Sequence, residues 1–272
     1  MKKILIALLI LTTALIMGCG KDEPINYKEL PDDSVDLYKY ERVDGGYEVV
    51  GTYDERENVI IPTKYKRKKV VGIGEKAFFD NDVVKNVTLP EGIKYLGYKA
   101  FKDCKMLEEI NLPSTLEEIR EDVFYNCHNL KYETYEGCAY IDNWLMHKVD
   151  SEIMILNIRE GTVGINSFAV YNSLDLRSVN LPTSLKYIGS HAFSRCVYLR
   201  VVNLGENIEF IGQYAFAENS LMREIYIPEN VERIDANAFK DCKKCVITLE
   251  RKKAPSGFSD GWNGACEVKY GG

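Results

Sequence analysis

The stretch "LRSVNLPTSLKYIGSHAFSRCVYLRVVNL", residues 176–204, returns with small changes along most of the chain. Its landmark is Phe193, and phenylalanines recur 23 residues apart in two runs, Phe78, Phe101 and Phe124, then Phe193, Phe216 and Phe239. A fixed period of roughly 20 to 30 residues is typical of a solenoid, in which each unit buries its apolar face only against its neighbours. The stretch therefore predicts a stacked repeat architecture.

One unit also predicts its own local structure. "LRSVNL" suits a short strand that ends at Pro182, because proline has no N–H for a sheet hydrogen bond. "LKYIG" suits a second extended piece that ends at Gly189. "SHAFSRC" is too short for a regular helix and predicts one tight helical or 3₁₀ turn that points Phe193 inward. The fold class that follows is mainly β, with short helical or 3₁₀ turns, repeats of about 23 residues and β-hairpin caps.

A cysteine often lies three residues after the repeated phenylalanine. We interpret Phe168, in "GINSFAVY", as a seventh member of the phenylalanine ladder with a slightly shifted phase. The position three residues on is then filled by Cys104, Cys127, Cys196, Cys242, Asn81, Asn219 and Tyr171. A metal site would not tolerate such exchanges, because the identity of the ligands sets the chemistry. We therefore expect a packing role for these cysteines, and no metal or cofactor.

The same positions predict free thiols. Only Cys104 and Cys127 occupy neighbouring coils, and their inward, parallel side chains give poor geometry for a disulfide. Cys196 and Cys242 have no cysteine neighbour in the ladder. One other pairing stays open, because a terminal cap that folds over the last coil could bring Cys266 to Cys245.

The first residues have the pattern of an export signal. Lys2 and Lys3 precede the apolar run "ILIALLILTTALIM", which ends in "IMGC" at Cys19. This run is short for a membrane-spanning helix, and an apolar residue, a variable one, a small one and then cysteine form the bacterial lipobox. The pattern predicts cleavage before Cys19 and lipidation of its thiol. An ordinary signal peptide or a buried helix are the alternatives.

These features predict a domain organisation in five parts. They are a lipoprotein signal peptide (1–18), a flexible acidic tether (19–35), an N-terminal capping hairpin (36–58), a repeat solenoid (59–249) with an internal hairpin at about 135–152, and a C-terminal cap (250–272). The internal hairpin is indicated by "CAYIDNWLM", with "DN" at its turn.

The charge of the chain disfavours nucleic acid as a partner. The formal net charge is −6, and it becomes −8 after removal of residues 1–18, which carry two lysines and no acid. An acidic protein repels phosphate backbones, so we expect no nucleic-acid binding.

The repeats resemble those of the BspA-like subgroup of leucine-rich repeat proteins. "VNLPTSLKYIGSHAFSRCVYLRVVNL" is similar to the pattern "IxLPxxLxxIGxxAFxxCxxLxx" of that family, and the likeness extends over roughly residues 36–271. The leading segment, "GCAYIDNWLMHKVD" and "APSGFSDGWNGACEVKYG" are similar to its first hairpin, its internal hairpin and its terminal cap. The resemblance implies a leucine-rich repeat solenoid on a bacterial surface, where several members act as adhesins or recognition proteins.

One column of outward residues could bind a ligand. On an acidic protein, the strands of three consecutive coils carry a local basic and polar patch made of Arg177, Asn180, Arg200, Asn203, Arg223 and Tyr226. An acidic glycan or an acidic protein segment would fit this patch. The alternative is a solvated strand face with a stacked asparagine ladder.

The sequence supports two functions and disfavours a third. The first is a lipid-anchored, extracytoplasmic binding or adhesion module for protein or glycan ligands, held at the cell surface. The second is a structural or assembly component of the envelope that uses the solenoid as a spacer. An enzyme is disfavoured because no paired acids, nucleophile motif or phosphate-binding loop is recognisable.

The lipobox generates the first test. Cys19→Ala should release the protein into the medium or periplasm, since the thiol that takes the lipid is gone. Fractionation and intact mass of the native protein measure this. A variant that stays equally membrane-bound, together with a native protein of unlipidated mass, would contradict the prediction.

Overall fold

The computed structural model describes residues 36–271, so the predicted signal peptide, Cys19 and the tether lie outside the described residues. Within them the chain is a mostly-β solenoid of short strands at about 23-residue spacing. No α-helix occurs in this part of the chain. The predicted fold class is therefore confirmed.

The first half of the solenoid, which we call the N-terminal stack (residues 38–132), contains nine strands. They are β1 (Tyr38–Val43), β2 (Gly46–Thr52), β3 (Asn58–Ile60), β4 (Lys64–Tyr65), β5 (Lys68–Ile73), β6 (Asn86–Thr88), β7 (Tyr95–Leu96), β8 (Glu109–Ile110) and β9 (Glu118–Ile119). β1 and β2 form an antiparallel hairpin, and parallel pairing continues it through β5, β7 and β9. β4 pairs with β5, while β3, β6 and β8 form a second parallel sheet.

The second half, which we call the C-terminal stack (residues 133–271), contains thirteen strands. They are β10 (Glu133–Tyr135), β11 (Cys138–Ile141), β12 (Trp144–Lys148), β13 (Ile155–Asn157), β14 (Gly164–Ile165), β15 (Ser178–Asn180), β16 (Tyr187–Ile188), β17 (Val201–Val202), β18 (Phe210–Ile211), β19 (Glu224–Ile227), β20 (Arg233–Ile234), β21 (Val246–Leu249) and β22 (Glu267–Tyr270). Its main sheet has the order β10-β11-β12-β14-β16-β18-β20. Two three-stranded sheets, β13-β15-β17 and β19-β21-β22, complete it.

The turn of each coil differs in detail from a helical or 3₁₀ turn. In the coil of Phe101, hydrogen bonds of the i to i+3 type follow one another at Ala100, Lys102 and Cys104, as a 3₁₀ turn would require. However, Lys99 has a φ of 57° and Asp103 a φ of 63°. Such positive φ values are incompatible with a continuous right-handed helix, so the segment is a chain of separate tight turns.

The coils approach each other closely at these turns. A Cβ atom at Gly189 would lie 2.6 Å from the backbone nitrogen of Ser167, and one at Gly212 would lie 2.6 Å from that of Ser190. No side chain fits at such a distance, so glycine is required at these two positions, although other coils hold Arg120, Asn166 or Asp235 there. Backbone hydrogen bonds then join the coils, as from Phe193 N–H to the Ala215 carbonyl at 2.8 Å.

The core is a set of stacked phenylalanine rings. Phe78, Phe101, Phe193, Phe216 and Phe239 are buried, and Phe124 is partly buried. Neighbouring rings are nearly parallel, with centroids 5.0–5.9 Å apart in the pairs Phe78–Phe101, Phe101–Phe124, Phe193–Phe216 and Phe216–Phe239.

Phe168 is not a member of this ladder, and the sequence prediction is wrong there. Val170 occupies the ladder position, is fully buried and donates its N–H to the Ala192 carbonyl at 2.9 Å. Phe168 has a φ of 61° and its side chain is 38% exposed. The correct register is shifted by two residues, which puts Ser173 rather than Tyr171 beside the ladder cysteines.

The cysteines three residues after the ladder phenylalanines donate hydrogen bonds to buried backbone carbonyls. Each thiol donates to the carbonyl of the ladder residue one coil earlier, as Cys104 does to Phe78 at 3.0 Å and Cys242 does to Phe216 at 3.0 Å. Asn219 makes the same bond through Nδ2, to Phe193 at 2.9 Å. A buried carbonyl needs a donor, so cysteine and asparagine exchange freely at this position because each supplies one.

The two stacks contact each other through the outer side of β12, which the repeat pattern does not predict. Trp144, on the outer side of β12, packs with the core of the N-terminal stack, and its ring lies parallel to that of Tyr187 at 6.2 Å. Gly164 makes this possible, since a Cβ there would lie 2.4 Å from the Trp144 ring. Ser167 Oγ donates to the Ile119 carbonyl at 3.1 Å across the same junction.

The revised register is tested by a matched pair of substitutions. Phe193→Ala should lower the free energy of unfolding by about 3–5 kcal/mol, because it leaves a cavity between stacked rings. Phe168→Ala should cost less than about 1 kcal/mol, because its ring is at the surface. Denaturant unfolding followed by circular dichroism measures both. Equal costs at the two positions would restore Phe168 to the core.

The thiols give a second test of the inward face. All seven cysteines within residues 36–271 are free. Burial raises the pKa of Cys196 to about 11 and that of Cys242 to about 12, whereas a hydrogen bond from Cys245 lowers the pKa of the half-buried Cys266.

A thiol with a raised pKa stays protonated, and only the thiolate is nucleophilic. Alkylation of the native protein near about pH 8 should therefore modify Cys266 before Cys196 and Cys242, with peptide mapping as the readout. Denatured protein, in which all of them should react, is the control. A disulfide at Cys196 or Cys242, or labelling of either as fast as Cys266, would show that the inward face is misassigned.

Candidate functional site

The predicted basic patch lies on the strands of three consecutive coils of the C-terminal stack. Arg177, Arg200 and Arg223 each precede an outward-facing strand and are exposed, and the Arg200 N–H donates to the Arg177 carbonyl at 3.0 Å. Paired strands stack about 4.8 Å apart, which places Arg177 and Arg200 side by side, and Arg223 holds the same position one coil further on, where β19 begins a separate sheet. We call these three residues the arginine row.

The arginine row combines three unpaired charges at one strand position. Several other basic residues of the repeats bond an acid in an adjacent coil, as Lys85 does with Glu57 at 2.8 Å and Lys186 with Glu209 at 2.7 Å. Within residues 36–271 no member of the arginine row forms an ion pair. The Arg177 guanidinium lies 5.6 Å from the Tyr198 ring centroid, within the range of a cation–π contact. These positive charges are available to an acidic ligand.

The polar members of the predicted patch divide into two environments. Asn180 donates from Nδ2 to Asn157 Oδ1 at 2.7 Å, so a short asparagine ladder flanks the row, and Asn203 is exposed in the next coil. Tyr226 is exposed, but desolvation, a hydrogen bond with Glu250 and further nearby carboxylates raise its pKa. The patch is therefore basic from Arg177 to Arg223 and acidic around Tyr226.

A groove between the two stacks carries mostly paired charge. It encloses about 440 Å³ beside β9, β18 and β20. Three of its four acids have partners: Glu117 pairs with Lys94 at 3.0 Å, Glu209 pairs with Lys186, and Glu118 lies 3.8 Å from Arg233. The fourth, Glu232, forms no ion pair within the described residues, so the unpaired charge of this groove is negative and disfavours an acidic ligand.

Sequence reasoning missed a third surface, on the opposite margin of the junction. Phe168, His191 and Tyr214 occupy the polar turn position in successive coils, and their rings stack at 4.6 and 4.8 Å. The signal was present, because an aromatic residue stands where other coils have lysine, aspartate or asparagine. Assignment of Phe168 to the core hides this pattern, because it separates Phe168 from the position shared by His191 and Tyr214.

The described part of the chain contains neither a cluster of metal ligands nor a helix that could span a membrane. Residues 36–271 contain no group of three His, Cys, Asp or Glu arranged to hold a metal ion. Within the same residues no helix has the length and apolar character needed to cross a membrane.

Comparison with known proteins finds several similar solved structures and one matching family model. The chain is similar to a leucine-rich repeat protein of T. pallidum (23% identity, 80% of this chain and 91% of that one, TM-score 0.41). It is also similar to a leucine-rich cell surface protein of Faecalibacterium prausnitzii (16% identity, 92% and 96%, TM-score 0.44). A leucine-rich repeat protein of Bacteroides ovatus is a third (25% identity, 87% and 70%, TM-score 0.38). No curated protein matches the chain.

The family model "BspA type Leucine rich repeat region (6 copies)" matches residues 55–152 and 136–246. These ranges contain the phenylalanine ladder, the cysteine positions and the arginine row. The chain belongs to the BspA-type leucine-rich repeat family.

Proposed function

We propose that this protein is a non-catalytic binding module of the bacterial cell surface that recognises an acidic ligand through the arginine row. The observation that carries the proposal is that Arg177, Arg200 and Arg223 hold the same strand position in three consecutive coils and form no ion pair within residues 36–271. Three exposed, unpaired cations in consecutive coils attract a polyanion and remain accessible to it. Sulfated or uronic glycans and acidic protein segments have the matching chemistry.

The location is part of the same proposal. Lipidation of Cys19 would hold the solenoid at the membrane, and the acidic segment 20–35 would separate it from the lipid surface. Membership of a family of bacterial repeat proteins supports an extracytoplasmic site. Catalysis has no place in the proposal, because the ladder cysteines serve as buried donors to carbonyls rather than as nucleophiles.

The arginine row can be tested with heparin as a model polyanion. Arg200→Glu should weaken heparin binding by about fivefold, since it replaces a central attractive charge with a repulsive one. The effect should shrink at high salt, which screens exposed charges. Surface plasmon resonance at low and high salt measures both.

Lys105→Glu is the matched control, because it makes the same charge change at an exposed lysine of the N-terminal stack that has no ion pair in the described chain. Equal losses in both variants would indicate a general charge effect and exclude a specific row. If neither heparin nor an acidic protein binds the native chain, the spacer function becomes the better explanation.

A further inference from the structure

Phe168 occupies a turn position at which the other coils also have a positive φ. Its φ of 61° lies in the left-handed region, which is a rare conformation for a bulky residue, and its ring is 38% exposed. The equivalent positions of other coils hold Lys76, Lys99 and Asp122, so the fold accepts a polar residue there. A strained, exposed aromatic residue at a tolerant position indicates a contact outside the fold.

Phe168 begins a row of stacked rings. It lies 4.6 Å from His191 with an interplanar angle of 5°, and His191 lies 4.8 Å from Tyr214 with an angle of 16°. Asn237 Nδ2 donates to the Tyr214 hydroxyl at 3.3 Å at the far end of the row. Packing on both sides of His191 fixes these rings, so Phe168 is held in one orientation before any ligand arrives.

The ring of Phe168 lines a groove between the two stacks, which we call the aromatic groove. Its walls include Asp122, Tyr125 and Tyr132 of the N-terminal stack and His147, Asn166 and Phe168 of the C-terminal stack, and it encloses about 420 Å³. This volume is in the usual range for small-ligand sites, and so is the mixture of aromatic walls with a few polar groups. The Tyr132 and His147 rings meet edge to face at 4.9 Å.

The aromatic groove carries little free charge. Asp122 pairs with Lys102 at 3.6 Å, and the Lys102 ammonium lies 4.3 Å from the Tyr125 ring centroid. Desolvation between the walls lowers the pKa of His147, so its ring is neutral at physiological pH. A charged ligand would find no free counter-charge among these groups.

One polar atom of the groove lacks a partner. Asn166 Nδ2 donates to the Met146 carbonyl at 3.4 Å, while its buried Oδ1 accepts no hydrogen bond from any described residue. An unsatisfied buried acceptor costs free energy, and a ligand hydroxyl offsets this cost once the half-buried Asn166 side chain rotates to expose Oδ1. An apolar peptide side chain would leave this acceptor unpaired.

We propose that the aromatic groove binds a neutral carbohydrate, with the apolar face of one sugar ring on Phe168 and a hydroxyl donating to Asn166 Oδ1. A pyranose has an apolar C–H face and a rim of hydroxyl donors, which matches ring walls combined with an unpaired acceptor. The site is separate from the arginine row, and it deepens the proposed binding function, on which it rests, by naming a second, uncharged ligand class.

The test uses the purified full chain and four neutral probes, namely cellotetraose, maltotetraose, mannotetraose and chitotetraose. Saturation-transfer NMR detects binding and isothermal titration measures it. At least one probe should bind, and Phe168→Ala should weaken it by about fivefold or more, because a stacking contact is lost. Phe168→Tyr should retain binding, since the ring is kept.

Phe79→Ala is the control, because Phe79 is 43% exposed and does not line the groove. Thermal unfolding of each variant separates a folding defect from a binding defect. The proposal is overturned if no probe binds, if Phe168→Ala binds as well as the native chain, or if an aromatic peptide competes for Phe168 where the sugars do not. Heparin binding that persists in any of these cases would leave the arginine row standing and remove only this site.

Discussion

Five coils of this solenoid supply a side-chain donor for a buried carbonyl of the coil before them, through Cys104, Cys127, Cys196, Asn219 and Cys242. The Phe193 N–H donates to Ala215 one coil on, while the Phe193 carbonyl accepts from Asn219, which occupies the cysteine position of that next coil. Cys242 makes the same bond to Phe216. An unpaired backbone group in this core would cost as much as a lost hydrogen bond, so the register between coils is fixed to the residue. The parallel phenylalanine rings follow from that register, because identical backbone positions place identical side chains one coil apart.

Most of this architecture could be predicted from the repeat period. Each coil packs only on its neighbours, so every repeat carries the same pattern of core residues. At Phe168, however, the repeat period does not identify the core residue correctly. It precedes Phe193 by 25 residues rather than 23, and only Val170 keeps the register. An aromatic residue usually marks the core of a repeat, yet the backbone conformation decides which way a side chain points. At a φ of 61° the Phe168 ring turns outward, and the smaller Val170 fills the core instead.

The junction between the stacks could not be predicted for a different reason. Repeat sequence encodes contacts between neighbours in the chain, whereas this junction joins residues such as Ile119 and Ser167 that belong to different stacks. It depends on one hairpin side chain: Trp144, at the outward position of β12, packs on the N-terminal stack over the bare backbone of Gly164, while Leu145 fills the core of its own coil. Both grooves between the stacks, and therefore the aromatic groove, exist only because the regular stack is interrupted at this hairpin.

The repeats also provide an internal control for function. Across neighbouring strands, opposite charges stabilise and like charges destabilise, and Lys131 with Glu109 follows this rule at 2.7 Å. Arg177 and Arg200 break it, because arginine lies beside arginine in paired coils where an alternating acid would be more stable, and Arg223 repeats the charge one coil further on. Phe168 places an aromatic ring at a turn position that holds lysine or aspartate in other coils. Both departures lie on the accessible surface, where the proposed arginine row and aromatic groove would use them.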